Sequence, residues 1–122
     1  MMSANDPDRL LHVLRETIIS TVRHDGVDLT ARQFAVFLTS YLTEGPHTVR
    51  GLAAELNVPR PAITRALDQL GEVGLTRRAP NPLDRRSVHV QQTATGRTYL
   101  RDLTATMTAA MHGVEPRAAA AA

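Results

Sequence analysis

Two prolines, Pro59 and Pro61, set the tightest constraint on how this chain can fold. They stand between two short stretches of helical periodicity. Neither stretch can run through them, because proline lacks the amide donor and pushes the residue before it out of helical geometry. Upstream, Leu52, Ala53 and Leu56 form an apolar stripe that Asn57 and Val58 break. Downstream, Ile63, Ala66, Leu67 and Leu70 recur at helical spacing and are expected to face inward. The pattern is a helix, a tight turn and a second helix. On the other face of the second helix, over its first two turns, lie Arg60, Ala62, Thr64, Arg65 and Gln69. Small, hydroxyl and guanidinium side chains leave a helix slim enough for the major groove of DNA, where arginine reads guanine in bidentate fashion.

The segment that follows fits the same task. Gly71 and Gly74 loosen the helix end, and Leu75–Ala79 alternates like a strand with Leu75 inward. Pro80, Asn81 and Pro82 predict a turn, and Ser87–Gln92 returns with a second alternation. Asp84, Arg85 and Arg86 fall between the strands. A basic hairpin directly after a reading helix is the winged helix-turn-helix plan. Its tip follows the DNA backbone, and an arginine can enter the narrow minor groove, where negative potential is strongest. Asp84 is expected to brace the wing by pairing with one of the two arginines, with Arg86 favoured as the braced residue and Arg85 as the groove reader. Arg77 and Arg78 alternate on a strand, so at most one of them faces phosphates.

In this order and spacing the features resemble the MarR family of bacterial transcriptional regulators. The resemblance rests on Leu52-Ala53, Arg60-Pro61, Leu67-Asp68-Gln69-Leu70 and Gly74-Leu75 leading to Arg77-Arg78. The wing run Asp84-Arg85-Arg86-Ser87 and the helix start Thr93-Ala94-Thr95-Gly96 complete it, and it covers about Leu29 to Leu103. It implies a mainly α fold with a small β-hairpin wing (α+β), a winged helix-turn-helix with N- and C-terminal dimerisation helices. It also implies a homodimer that binds double-stranded DNA at an inverted repeat, most often as a repressor. The candidate DNA surface comprises Thr48, Arg50, Arg60, Pro61, Ala62, Thr64, Arg65, Gln69, Arg78, Arg85 and Arg86, with Asp84 as wing brace. Two departures stand out. Pro59 occupies a position where a hydroxyl cap is common, and the chain is expected to end before a further C-terminal helix that would braid with a partner subunit. The second departure motivates an alternative reading, a winged-helix protein-interaction module (an accessory or antirepressor protein) that binds no DNA.

The remaining elements frame this core. Asp6-Pro7 opens a helix in which Leu10, Leu11, Leu14, Ile18 and Val22 form a stripe through about Arg23, widened by Val13 and Ile19. So many large aliphatics suit either a core helix or a helix shared with a second subunit, and the resemblance implies the latter. His24-Asp25-Gly26 ends it. Thr30 caps the next helix with Gln33 as its capping-box partner. There Phe34, Phe37, Leu38, Tyr41 and Leu42 make a full apolar face, either packed core or the lining of a ligand pocket under the dimer helices. Gly45-Pro46 ends that helix, and His47-Thr48-Val49 predicts a short third strand. Thr48 then caps the helix after it and puts Arg50 in the first turn, near phosphate. A last helix runs from Thr93 to about His112, capped by Thr93 or Thr95 and stopped by Gly113 and Pro116. Its apolar side is Tyr99, Leu100, Leu103, Met107, Ala110 and Met111, and methionine suits an adaptable interface. The candidate dimerisation residues are Leu10, Leu11, Leu14, Ile18, Leu103, Met107 and Met111. Ala118–Ala122 is a low-complexity tail without an assigned role.

Composition narrows the function classes. A chain of 122 residues suits one domain with a modest core: a dimerisation helix over 6–24, the winged helix-turn-helix over 29–92, a C-terminal helix over 93–112 and a tail over 113–122. No apolar run approaches a membrane span and Met1–Asp8 lacks a signal-peptide layout, so a cytoplasmic protein is expected. The absence of cysteine excludes disulfides, cysteine metal sites and a thiol switch, which sets the chain apart from the thiol-based peroxide sensors of the family it resembles. The net charge of +2 hides a division. Residues 1–47 carry four Arg against six acids, residues 48–101 nine Arg against four, and residues 102–122 one Arg against two. Positive charge thus concentrates on the reading head, where phosphate neutralisation needs it. No phosphate loop, zinc-protease or nucleophile-elbow motif is present, so no enzyme activity is expected. His12, His24, His47, His89 and His112 are scattered without metal-ligand spacing, and neither a metal nor another cofactor is expected. A small-molecule effector is left open, with no residue that identifies it.

Overall fold

The computed structural model describes residues 7–23 and 27–113. In chain order these form α1 (Pro7–Arg23), α2 (Ala31–Leu42), β1 (His47–Thr48), α3 (Val49–Leu56), α4 (Arg60–Glu72), β2 (Thr76–Asn81), β3 (Asp84–Gln92) and α5 (Ala94–Met111). The fold is mainly helical with a three-stranded antiparallel sheet in the order β1-β3-β2. Two compact units share the chain. One is Leu29–Thr98, and the other contains α1 and the part of α5 from Tyr99 onward. Asp6, His24-Asp25-Gly26, Pro116 and Ala118–Ala122, to which the sequence assigns helix ends and a tail, lie outside the described residues.

Local chemistry sets the helix ends of the Leu29–Thr98 unit. The Thr30 hydroxyl accepts from the Gln33 amide (3.2 Å), and the Gln33 side chain accepts from the Thr30 amide (2.9 Å), the expected capping box. Helix α2 stops at Leu42, before the predicted Gly45-Pro46 end, because the backbone turns extended at Thr43 (φ −113°, ψ 158°), whose amide and hydroxyl cap the Thr39 carbonyl (3.2 and 2.7 Å). Thr48 caps α3 as expected, accepting from the Gly51 amide at 2.9 Å. Asn57 ends α3 in the left-handed region (φ 55°). After α4, Gly74 (φ 79°) lets the Leu75 amide reach the Leu70 carbonyl (2.9 Å) and its own amide the Gly71 carbonyl (3.1 Å), a Schellman closure.

Val36, Phe37, Leu52, Ile63, Leu67, Leu70 and Leu75 are almost completely buried and form the core of this unit. Each contributes about 1.5–3 kcal/mol by leaving water. Phe37 therefore serves the core rather than a pocket, with the Tyr41 ring 4.5 Å away, centroid to centroid. The Tyr41 hydroxyl donates to the Leu75 carbonyl (2.6 Å) and accepts from the Thr93 amide (2.9 Å). Thr93 in turn caps α5, its hydroxyl accepting from the Gly96 amide (2.9 Å) and donating to the Gly74 carbonyl (2.7 Å). One phenol thus ties α2 to both ends of the hairpin. Tyr41→Phe should cost about 1–3 kcal/mol by orphaning those two backbone groups. The readout is a lower urea midpoint at an unchanged slope.

The sheet begins later and turns more tightly than the sequence suggests. Leu75 precedes β2, and Pro80 and Asn81 belong to the strand rather than the turn. Pro80 is tolerated because β2 is an edge strand. Asp84, Arg85 and Arg86, expected in the connection, already lie in β3. Asn81 pairs with Asp84, so the turn is only Pro82-Leu83, while Pro80 pairs with Val88. The register shift leaves Arg85, Arg86 and Ser87 without partners across the hairpin. The expected third strand is present as His47 opposite Val90 and Thr48 opposite His89, with Val49 starting α3 instead.

In the second unit, α1 turns its less apolar side inward. Val13, Glu16 and Thr21 are buried, whereas Leu10, Leu11, Leu14, Ile18 and Val22 are 51–63% exposed. Burial of Glu16 is made tolerable by the Arg15 guanidinium, which donates to its carboxylate at 3.2 Å. Thr21 bonds back to the Ile18 carbonyl at 2.7 Å. On α5, Met107 is exposed and Met111 half-buried, but Leu103 and Ala110 are buried. Leu103 therefore has little surface left for a second subunit, a correction to its grouping with the dimerisation residues. Beside it, Ser20, Thr21, Tyr99 and Asp102 line a cavity of about 30 Å³, room for a water molecule rather than an organic ligand. Burial, and secondarily the Asp28 carboxylate, push the Tyr99 phenol above its ordinary range.

Candidate nucleic-acid interface

Helix α4 has one face committed to the core and one to solvent. Ile63, Ala66, Leu67 and Leu70 are buried, and Arg60, Pro61, Arg65 and Gln69 are exposed, with Thr64 half-buried between them. Ala62 departs from the sequence expectation, because it is 3% exposed and cannot meet a ligand. The reason is spacing: Ala62 lies four residues before Ala66 and so shares its inward face. A methyl group fits either environment, so composition alone did not decide. The helix starts without a side-chain cap at Pro59, as expected. Pro61 has no amide to satisfy, and the Ala62 and Ile63 amides both bond to the Pro59 carbonyl (3.0 and 3.4 Å).

Three segments distant in sequence meet beside this helix start. Thr48 and Arg50 from the start of α3, Arg60 from the start of α4, and Asp84, Arg86 and Ser87 from the wing line one concave site of about 350 Å³. The Thr48 oxygen is already an acceptor in the α3 cap, which leaves its hydroxyl hydrogen as a donor toward the site. Three guanidiniums in one concavity favour an anion with several oxygens, such as a backbone phosphate. The single carboxylate there, Asp84, is engaged at its Oδ1, which accepts from the Arg86 amide at 3.0 Å. This corrects the expected brace. Asp84 holds the wing through the Arg86 main chain rather than its guanidinium, so Arg86 lines the concavity while Arg85 stands exposed on the wing.

The other wing arginines are engaged. Arg77 donates twice to the Gln91 side chain (3.2 and 3.0 Å) across the hairpin. Arg78, counted among the DNA residues, pairs with Asp68 of α4. The pair joins reading helix to wing strand. At the wing tip the sequence assigned Asn81 to the turn alone and gave Leu83 no role. The Asn81 side chain accepts from the Leu83 amide (2.9 Å), and Asn followed by Pro-Leu-Asp was a legible signal for such a turn. Among the described residues no cluster of three or more His or acidic side chains could hold a metal, and no helix is long and apolar enough to cross a membrane.

Comparison with known proteins places this geometry among regulators. The MarR family model matches residues 29–88. Among solved structures, transcriptional regulator Tm0710 from Thermotoga maritima is 25% identical, with 83% of this chain and 68% of that one covered at a TM-score of 0.70. A MarR family transcriptional regulator from Rhodococcus sp. RHA1 is 27% identical, covering 87% and 69% of the two chains at a TM-score of 0.61. Reduced AbfR, solved bound to DNA, shares the fold at 20% identity, with 84% and 71% covered and a TM-score of 0.63. No curated protein sequence matches the chain.

Proposed function

This chain belongs to the MarR family, and on that premise we propose that it is a homodimeric, sequence-specific DNA-binding regulator of transcription that acts as a repressor at an inverted repeat. The observation that carries the proposal is the convergence of Arg50, Arg60 and Arg86 on one concave site beside the exposed face of α4. In this reading the concavity seats a DNA backbone phosphate. Thr64, Arg65 and Gln69 then face base edges in the major groove, and the wing lies along the minor groove. The exposed stripe of α1, with Met107, is the surface a second copy covers. Two heads would enter successive major grooves about 34–36 Å apart. No resident cofactor is needed, and a small-molecule effector would act by biasing the spacing of the heads. A DNA partner makes the cytoplasm the expected compartment.

Two variants separate the roles. Arg60→Ala should weaken binding evenly across sequences and lower the slope of log affinity against log salt by about one. Arg65→Ala should cost about 1–3 kcal/mol on the preferred site and flatten sequence preference at one position. Titration of both against a wild-type-selected duplex and a scrambled one, across a salt series, checks this. Failure of the wild type to bind any duplex at low salt would overturn the proposal and favour a protein-interaction module.

A further inference from the structure

The tip of the β2–β3 hairpin presents an apolar side chain that its own fold does not use. Leu83 is 94% exposed, the highest value among the exposed large hydrophobic side chains of the described residues. A lone exposed leucine is ordinary on a protein surface. This one is distinguished by how it is held. Pro82 fixes the backbone before it, and its own amide is bonded to Asn81 Oδ1 at 2.9 Å. Asn81 pairs across the strands with Asp84, whose Oδ1 takes the Arg86 amide at 3.0 Å. A proline and two side-chain braces therefore fix a two-residue turn. The conformational freedom of the tip is given up on folding, so less is lost on contact. Small polar residues suffice for such a turn; an isobutyl group adds nothing to it.

The surroundings specify what the tip meets. The register shift leaves Arg85 and Arg86 outside the regular pairing, close behind the tip, and both are exposed. An apolar point backed by cations matches the minor groove of duplex DNA, whose rims are phosphates and whose walls are deoxyribose C–H surface. Apolar side chains that enter this groove wedge at base steps and open them. The steps that yield most easily are pyrimidine–purine.

We propose that Leu83 is a minor-groove wedge: it packs between the sugar walls at a flexible pyrimidine–purine step. The wing then selects sequence by deformability where α4 selects by base edges. This inference rests on the DNA-binding reading above, and the experiment separates the two. Wild type, Leu83→Ala and Leu83→Met are titrated against duplexes selected by the wild type from a random-sequence pool, and against copies with the wing step changed from TA to AA. Leu83→Ala should bind the selected duplex roughly tenfold more weakly. Its salt slope should match wild type, because no charge is removed. It should lose the preference for TA over AA and the hydroxyl-radical protection of the minor groove at the wing. Leu83→Met should restore both. Equal affinity, step preference and footprint for Leu83→Ala and wild type would overturn the wedge and leave DNA binding standing. Absence of wild-type binding to any duplex at low salt would overturn both.

Discussion

Replacing Leu11 and Leu14 together by aspartate is expected to leave a folded monomer whose affinity for an inverted-repeat duplex is at least about a hundredfold below wild type. The two leucines are 63% and 53% exposed, so the fold loses little when they change. In a dimer each would contribute about 1.5–3 kcal/mol by leaving water, and each aspartate would instead carry a charge into an apolar contact. The effect on DNA follows from linkage of the two heads. In a dimer, binding of the second half-site is intramolecular, and losing that effective concentration costs two to four decades. Sedimentation gives the mass, far-UV circular dichroism the helix content, and titration of one and two half-sites the affinity. A variant that keeps dimer mass would remove α1 from the interface. One that becomes monomeric yet binds the full repeat unchanged would remove the inverted-repeat model.

Gly96→Ala should be the most destabilising single methyl addition in the Leu29–Thr98 unit. Gly96 is buried in the first turn of α5, and a Cβ built there overlaps the Tyr41 hydroxyl, its ring and the Leu75 carbonyl. Tyr41 cannot step aside cheaply, because its hydroxyl bonds the Leu75 carbonyl and the Thr93 amide (2.6 and 2.9 Å). Overpacking costs about 1–3 kcal/mol, and broken buried hydrogen bonds about as much again, so a loss of about 2–6 kcal/mol is expected. For a domain of this size that lowers Tm by more than about 10 °C. The contact itself is tested by combination with Tyr41→Phe. Removing the hydroxyl relieves part of the clash, so the double variant should lose less than the sum of the two. Strict additivity would show that Gly96 is needed for some other reason.

What the sequence made legible is what local chemistry decides. The capping box at Thr30 and Gln33, the cap at Thr48 and the proline interruption at Pro59 and Pro61 all rest on residues a few positions apart, and all are present. The misplaced features depend on tertiary context. Pro80 reads as a turn residue until the sheet order makes β2 an edge strand, where a missing amide harms no ladder. Ala62 carries too small a side chain to declare its face, and only its spacing to Ala66 could have done so. Asp84 was expected to find a guanidinium, since charge pattern cannot show that a nearer main-chain amide claims the carboxylate. The meeting of Arg50, Arg60 and Arg86 depends on folding that brings α3, α4 and the wing together, and no local motif encodes it. Nor does one encode the pairing of Asp68 with Arg78.

The outer edge of the sheet has a consequence for how copies of this protein can associate. An unpaired strand edge invites a strand from another molecule, and long flat edges are the usual start of aggregation. Here one edge is β1, only two residues long, and the other is β2, which carries Arg77, Arg78 and Pro80 within six residues. A two-residue strand gives a second chain little to pair with, and Pro80 and the two arginines blunt the other edge. Sheet-to-sheet growth is disfavoured along both strands.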